Sequence, residues 1–381
     1  MKIYKCAINK LLLFVLVLLM GGCKEKYDSP VPPIETGYLV VEGVINNDGD
    51  TTDIKLSRTT NLGDTGKRVE TGAVVTIEGT DASIYRLGEN FAGNYTINNI
   101  HLDNSIQYRI NIQTSNNQQY RSDFVSVRSN PPIDSITWAR ENNGVQIYIN
   151  THDPQNNTRY YQWEFEETWE FNTFFATLKF VGNPASGVAY RDVTDPKIYQ
   201  CWQFDYSKTL LLGSSAKLSD DVIHLPLTFV PGKARKMSVL YSIRVKQYSW
   251  SKEGYEFLER MKKNTESVGS VFDAQPSELN TNIHCITNPG QQVVGFFNIC
   301  NIEEKRIFIS NNDLPGWDYR LPCSKIVVPN NPDSIKDIAY SMLPVSSKEE
   351  RYPNIISFYA AESPCVDCRL TGTNIKPNFW P

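Results

Sequence analysis

The segment Tyr160–Phe171, YYQWEFEETWEF, constrains the fold more than any other stretch of the chain. Trp163, Phe165, Glu167, Trp169 and Phe171 fall on one phase of a period of two, and Gln162, Glu164, Glu166, Thr168 and Glu170 on the other. Successive side chains of a strand point to opposite faces, whereas a helix would scatter both sets around its axis. The segment therefore reads as a strand with one packed and one polar face, the pattern of an antiparallel sheet. Carboxylates two residues apart on that face lie about 6.6 Å from each other, which overlaps the spacing of glycosidase acid pairs. A solvated strand face gives the same pattern, and catalytic pairs usually come from different elements, so no catalytic role is assigned here.

The same alternation recurs at Tyr108, Ile110 and Ile112, and again at Val239, Tyr241, Ile243 and Val245. GYLVVEGVINNDGDTTDIKLSR reads as a hairpin around Asn46 to Asp50, and IDSITWARENNGVQIYIN as another. Asn46, Asp48 and Asp50 resemble part of a calcium loop, but the bidentate glutamate that such a loop needs is missing, so no metal is expected. One helix stands out: Ser251 can cap KEGYEFLERMKKNTES, which carries Tyr255, Leu258 and Met261 on one side. Aromatic residues make up 12% of the chain, which fits strands better than helices. The expected fold is mainly β. An immunoglobulin- or transthyretin-like β-sandwich over residues 36–130 ends at Asn130, Pro131 and Pro132, and a larger β-rich domain with one or two helices follows over 131–381.

The N-terminus predicts the compartment. Lys2, Lys5 and Lys10 precede an apolar run from Leu11 to Met20, too short for the roughly 20 helical residues that cross a bilayer. Residues 1–22 read as an export signal. Met20-Gly21-Gly22-Cys23 resembles a bacterial lipobox, which implies acylation of the Cys23 thiol and anchoring without a spanning helix. Residues 23–35 then form a tether whose SPVPPIETG stretch is extended and semi-rigid. Glu25 and Asp28 resemble the acidic signal that sends lipoproteins to the outer face of the outer membrane.

Without the signal the chain carries 35 basic residues against 42 acidic ones, a net charge of −7. That balance argues against nucleic acid and against adsorption to anionic lipid. Six cysteines remain for the folded part: Cys201, Cys285, Cys300, Cys323, Cys365 and Cys368. In an oxidising compartment the default is three disulfides bracing the second domain, with connectivity left open. A zinc clip for Cys365-x-x-Cys368 would need further ligands, of which His284 beside Cys285 is the nearest, and a redox centre would need a strand before and a helix after it. No cofactor is expected.

None of His101, His152, His224 and His284 lies in a catalytic frame, and His152-Asp153 reads as a turn pair, so binding is expected rather than catalysis. The candidate binding residues are Trp317 and Tyr319, which follow a Pro-Gly turn where loop aromatics could offer flat faces to a ligand, with core packing the favoured alternative for Trp317.

The lipobox, the Pro-Pro-Ile-Asp-Ser-Ile junction, the Trp-Glu-Phe strand, Asn282-Ile283-His284, Asn288-Pro289-Gly290 and the closing Cys365-x-x-Cys368 with Pro377, Phe379 and Trp380 occur in that order. Together they resemble a Bacteroidota outer-membrane lipoprotein family catalogued only as a domain of unknown function. The resemblance implies a surface-facing accessory protein of a TonB-dependent transporter barrel, capturing small-molecule, peptide or glycan cargo. A surface adhesin or structural envelope protein and a secreted hydrolase are the alternatives.

Overall fold

The computed structural model describes residues 37–47, 51–60, 66, 68–183, 185–266, 279–351 and 353–381. The export signal, Cys23 and the tether lie outside these residues, as do Asp48 and Asp50. The described chain is mainly β, as expected.

The first body is built by alternation. Leu39 and Val41, Ile54 and Leu56, Val75 and Ile77, and Tyr108, Ile110 and Ile112 all point into one core, and burying each contributes about 1.5–3 kcal/mol. One 11-stranded sheet supplies them by folding over on itself. Strand Ile84–Phe91 joins its two halves, pairing first with Val74–Gly79 and then with Asn94–Ile97.

Residues 36–130 do not complete this body, which corrects the expected boundary. Val293–Gly295 pairs in parallel with Leu39–Glu42, and Ile299–Cys300 pairs in parallel with Ile45–Asn46. Ile283–Cys285 pairs with Gln119–Ser122. These late segments cover strand edges that would otherwise stay open, and they bring Ile283, Val293, Phe297 and Ile299 into the first core. Gly295 is required at its close approach: its φ is +143°, and a Cβ there would sit 2.3 Å from the Val41 carbonyl oxygen.

In the second body, Ile133–Glu141 and Gly144–His152 form the predicted hairpin, turning at Asn142 and Asn143 with φ of 45° and 58°. Asparagine tolerates this left-handed turn better than most residues. Val222–Pro231 completes a three-stranded sheet. Facing it is a five-stranded sheet, in which Gln200–Tyr206, Tyr160–Asn172, Leu240–Ser249 and Glu303–Ser310 lie in that order and Leu211–Ser214 pairs alongside Tyr160–Asn172. Trp163, Trp169 and Phe171 meet Ile147, Ile149, Tyr241, Ile243 and Ile309 in the core between them. Glu167 shares the apolar face and is buried. It is stabilised there by accepting from Tyr241 Oη at 2.7 Å and from Lys236 Nζ at 2.5 Å.

Helix Lys252–Glu266 starts where expected, with the Gly254 N–H donating to Ser251 Oγ at 3.0 Å. Its Tyr255 and Leu258 pack with Tyr248, Trp250 and Cys300. Two shorter α-helices, Pro332–Ile338 and Ser363–Val366, exceed the expected number among the described residues. The chain crosses between the bodies along two adjacent segments. Arg128 and Cys300 form a parallel bridge, and Lys305 Nζ donates to the carbonyls of Ile133 and Asp134 at 3.0 and 2.7 Å.

The Cys-x-x-Cys pair is a staple whose two arms diverge: Cys368 bonds to Cys201 and Cys365 to Cys323. The expected third bridge does not form among the described residues. Cys285 and Cys300 are buried thiols in strands with different partners, Cys285 opposite Tyr120 and Cys300 opposite Asn46, and they pack into different clusters.

Candidate binding face

The face of the five-stranded sheet turned away from the core carries the polar phase of Tyr160–Asn172. Directly opposed residues on adjacent strands share a face, so register decides what joins it. Glu166 lies between Tyr206 and Arg244, Thr168 between Phe204 and Ser242, and Glu170 between Trp202 and Leu240. One strand further, Arg244 opposes Arg306, Lys246 opposes Glu304, and Ser242 opposes Phe308.

The charges on this face form a ladder of pairs. Arg244 Nε lies 2.8 Å from Glu166 Oε2, and its Nη1 lies 3.3 Å from Glu304 Oε2. Lys246 Nζ lies 3.2 Å from Glu304 Oε1, and Arg306 reaches Glu166 at 3.8 Å. The facing Arg244 and Arg306 thus share the Glu166 carboxylate, and the Phe379 ring centre sits 3.7 Å from the Arg306 guanidinium carbon. Tyr248 Oη donates to Glu164 Oε2 at 3.0 Å. Burial first, then the Glu164 charge, pushes this hydroxyl far above the ordinary phenol range and keeps it a donor.

One end of the face is closed. Trp380 donates its indole N–H to Glu170 Oε2 at 3.0 Å and packs edge-on against Trp202 and Phe308. The other end is an open groove of about 480 Å³, lined by Gln162, Glu164, Glu166, Tyr206, Lys208 and Arg244 among others. Its side wall, the 207–210 loop, is fixed at three points. The Ser207 N–H donates to the Phe165 carbonyl at 2.9 Å, the Phe165 N–H donates to Ser207 Oγ at 3.2 Å, and Lys262 Nζ donates to the Leu210 carbonyl at 2.7 Å. Tyr206 is 59% and Phe204 44% exposed. Gln162 is 7% exposed; its Nε2 donates to Glu164 at 3.3 Å, while its Oε1 has no partner among the described residues. The groove thus combines fixed hydrogen-bonding groups with an exposed aromatic ring.

Trp317 does not belong to a binding face, which corrects the expectation for it. The turn at Leu314-Pro315-Gly316 folds it back into the second core, where it is 6% exposed and donates its indole N–H to the Ala234 carbonyl at 3.1 Å. Tyr319 is half-buried, packs against the edge of the same core and lines a shallow recess with Lys233, Asp318, Arg320 and Pro322. Three of the four histidines pair locally: His152 Nδ1 lies 2.7 Å from Asp134 Oδ2, His224 stacks on Tyr148, and His284 lies 3.3 Å from Asp123. Asp153 accepts the N–H groups of Gln155, Asn157 and Thr158, the turn role expected of it. No group of three or more His, Cys, Asp or Glu residues is placed to hold a metal among the described residues. No helix among them is long and apolar enough to cross a membrane.

The groove residues Tyr206, Arg244 and Lys246 were not singled out from the sequence. The alternation of Trp202, Phe204 and Tyr206 was the available signal.

Compared with known families, residues 24–306 match the one described as Domain of unknown function (DUF4249). The chain belongs to the DUF4249 family. Its match runs from the tether through strand Glu303–Ser310 at Arg306, and so includes the groove strands and both crossings between the bodies. No curated protein matches. Among solved structures, a protein from Bacteroides uniformis described as carbohydrate-binding aligns at 9% identity and a TM-score of 0.14, covering 56% of this chain and 90% of its own. A chitinase from Bacillus thuringiensis aligns at 12% identity and a TM-score of 0.16, covering 52% of this chain and 30% of its own. Scores this low establish no shared fold between this DUF4249 chain and either protein.

Proposed function

We propose that the protein is a lipid-anchored, surface-facing accessory protein of the outer membrane that binds cargo for a TonB-dependent transporter without transforming it. The lipobox-like sequence at Cys23 supports the anchor, and the resemblance drawn from the ordered motifs supports the transporter partnership. The observation that carries the binding reading is the open groove on the five-stranded sheet, where exposed Tyr206 stands beside a fixed ladder of ion pairs. Side chains already locked by their neighbours bind at low entropic cost, because little ordering remains to be done when a ligand arrives.

The test is isolation of the native, acylated protein in mild detergent. A β-barrel transporter should co-purify in stoichiometric amount, and mass spectrometry should place acyl chains on Cys23. An unacylated protein that purifies alone would end this reading.

A further inference from the structure

We propose that the groove takes a neutral oligosaccharide, one ring lying on Tyr206 and its hydroxyls meeting Gln162, Glu164, Glu166 and Arg244. The proposal deepens the binding reading above and rests on it. Three features of the groove select this chemistry.

The first is charge. Glu164, Glu166 and Glu304 balance Arg244, Lys246 and Arg306, and all but Glu164 stand in ion pairs within the ladder. Lys208 at the rim has its own partner, Asp205, at 3.2 Å. A charged ligand bound at any of these pairs would have to break it, leaving the displaced partner uncompensated, while Glu164, outside the pairs, is held by hydrogen bonds from Tyr248 Oη and Gln162 Nε2. A neutral ligand leaves them intact and uses the spare capacity, since a carboxylate offers about four acceptor sites and a guanidinium five N–H donors.

The second is the orphan acceptor. Gln162 Oε1 is buried at the wall of the groove and requires a donor. Carboxylate, phosphate and sulfate groups offer only acceptors, whereas sugar hydroxyls both donate and accept, so one can donate to Gln162 while another accepts from Arg244.

The third is the shape of the apolar surface. Tyr206 presents an exposed ring beside polar groups, which suits a molecule with a flat apolar face and a polar edge. A peptide held by strand addition would instead need an open sheet edge, and this groove lies on the face of the sheet.

The experiment uses the full-length purified protein on an array of neutral plant, fungal and bacterial oligosaccharides, with uronic-acid oligosaccharides and hexapeptides as parallel panels. Hits are confirmed by calorimetry. The expected result is binding of at least one neutral oligosaccharide, weakened more than about tenfold by Tyr206→Ala and retained by Tyr206→Phe, with both variants showing wild-type unfolding midpoints. Tyr206-dependent binding confined to uronates or peptides would overturn the ligand class while leaving the binding reading in place. Neutral-sugar binding insensitive to Tyr206→Ala would overturn the site. Silence on every panel would overturn the proposal, and only failure of the transporter co-purification as well would remove the reading beneath it.

Discussion

Trp163 donates its indole N–H to Gln247 Oε1 at 2.9 Å, at the centre of a buried knot that ties the second core to the junction between the bodies. The Gln247 Nε2 group reaches the Pro131 carbonyl at 2.8 Å, and Asn130 Nδ2 donates to the Gln247 backbone carbonyl at 2.6 Å. Each buried polar group left without a partner costs about 1–3 kcal/mol. Gln247→Leu should therefore lower the unfolding free energy by roughly 3 kcal/mol, read by urea titration with an unchanged slope. A loss within experimental error would show that the knot carries no weight.

Trp317 sits in the same core as Trp163, and its substitution should act on stability. Trp317→Ala removes a large buried ring and the partner of the Ala234 carbonyl, for a loss of about 3–5 kcal/mol. Calorimetric unfolding checks the size, and ligand binding by whatever fraction stays folded should match wild type.

The two disulfides should differ in their effect. The Cys201–Cys368 bridge spans 167 positions and the Cys323–Cys365 bridge spans 42. Closing the longer loop removes more freedom from the unfolded chain, by roughly 1 kcal/mol on the chain-entropy account. Paired Cys→Ser replacement at 201 and 368 should lower the melting temperature more than replacement at 323 and 365. The reverse order would mean that strain or local packing dominates.

His152 should titrate high. Its hydrogen bond to Asp134, and then the charge of that carboxylate, raise its pKa above the ordinary 6.5. A raised folded-state pKa stabilises the fold fully below the unfolded value, and that contribution fades as pH rises through the folded midpoint. Proton NMR should place the His152 midpoint above about 6.5 in the wild type and bring it down in Asp134→Asn. Identical midpoints in the two proteins would contradict the pairing.

What could be read from the sequence was local. The period of two placed Trp163, Trp169 and Phe171 in the core and predicted the strands through Tyr108 and Tyr241, and Ser251 marked the start of a helix. What escaped was set by distance along the chain. Val293–Gly295 is too short to show a period, and its role depends on a strand edge at the opposite end of the chain. Trp317 follows a turn that leaves both core packing and ligand binding open, and the fold decides for the core. The groove failed to show for the same reason: Glu166, Tyr206 and Arg244 sit on three strands, and their meeting is a matter of register that no single segment encodes.

The paired crossing at Arg128–Cys300 and Lys305 has a mechanical meaning. A lone connector lets one module swivel on another, but two bonded side by side resist torsion as a ladder does where a rope would not. The groove should therefore keep a set bearing relative to the end of the molecule that carries its leading segment, and whatever direction that segment imposes, the opening inherits.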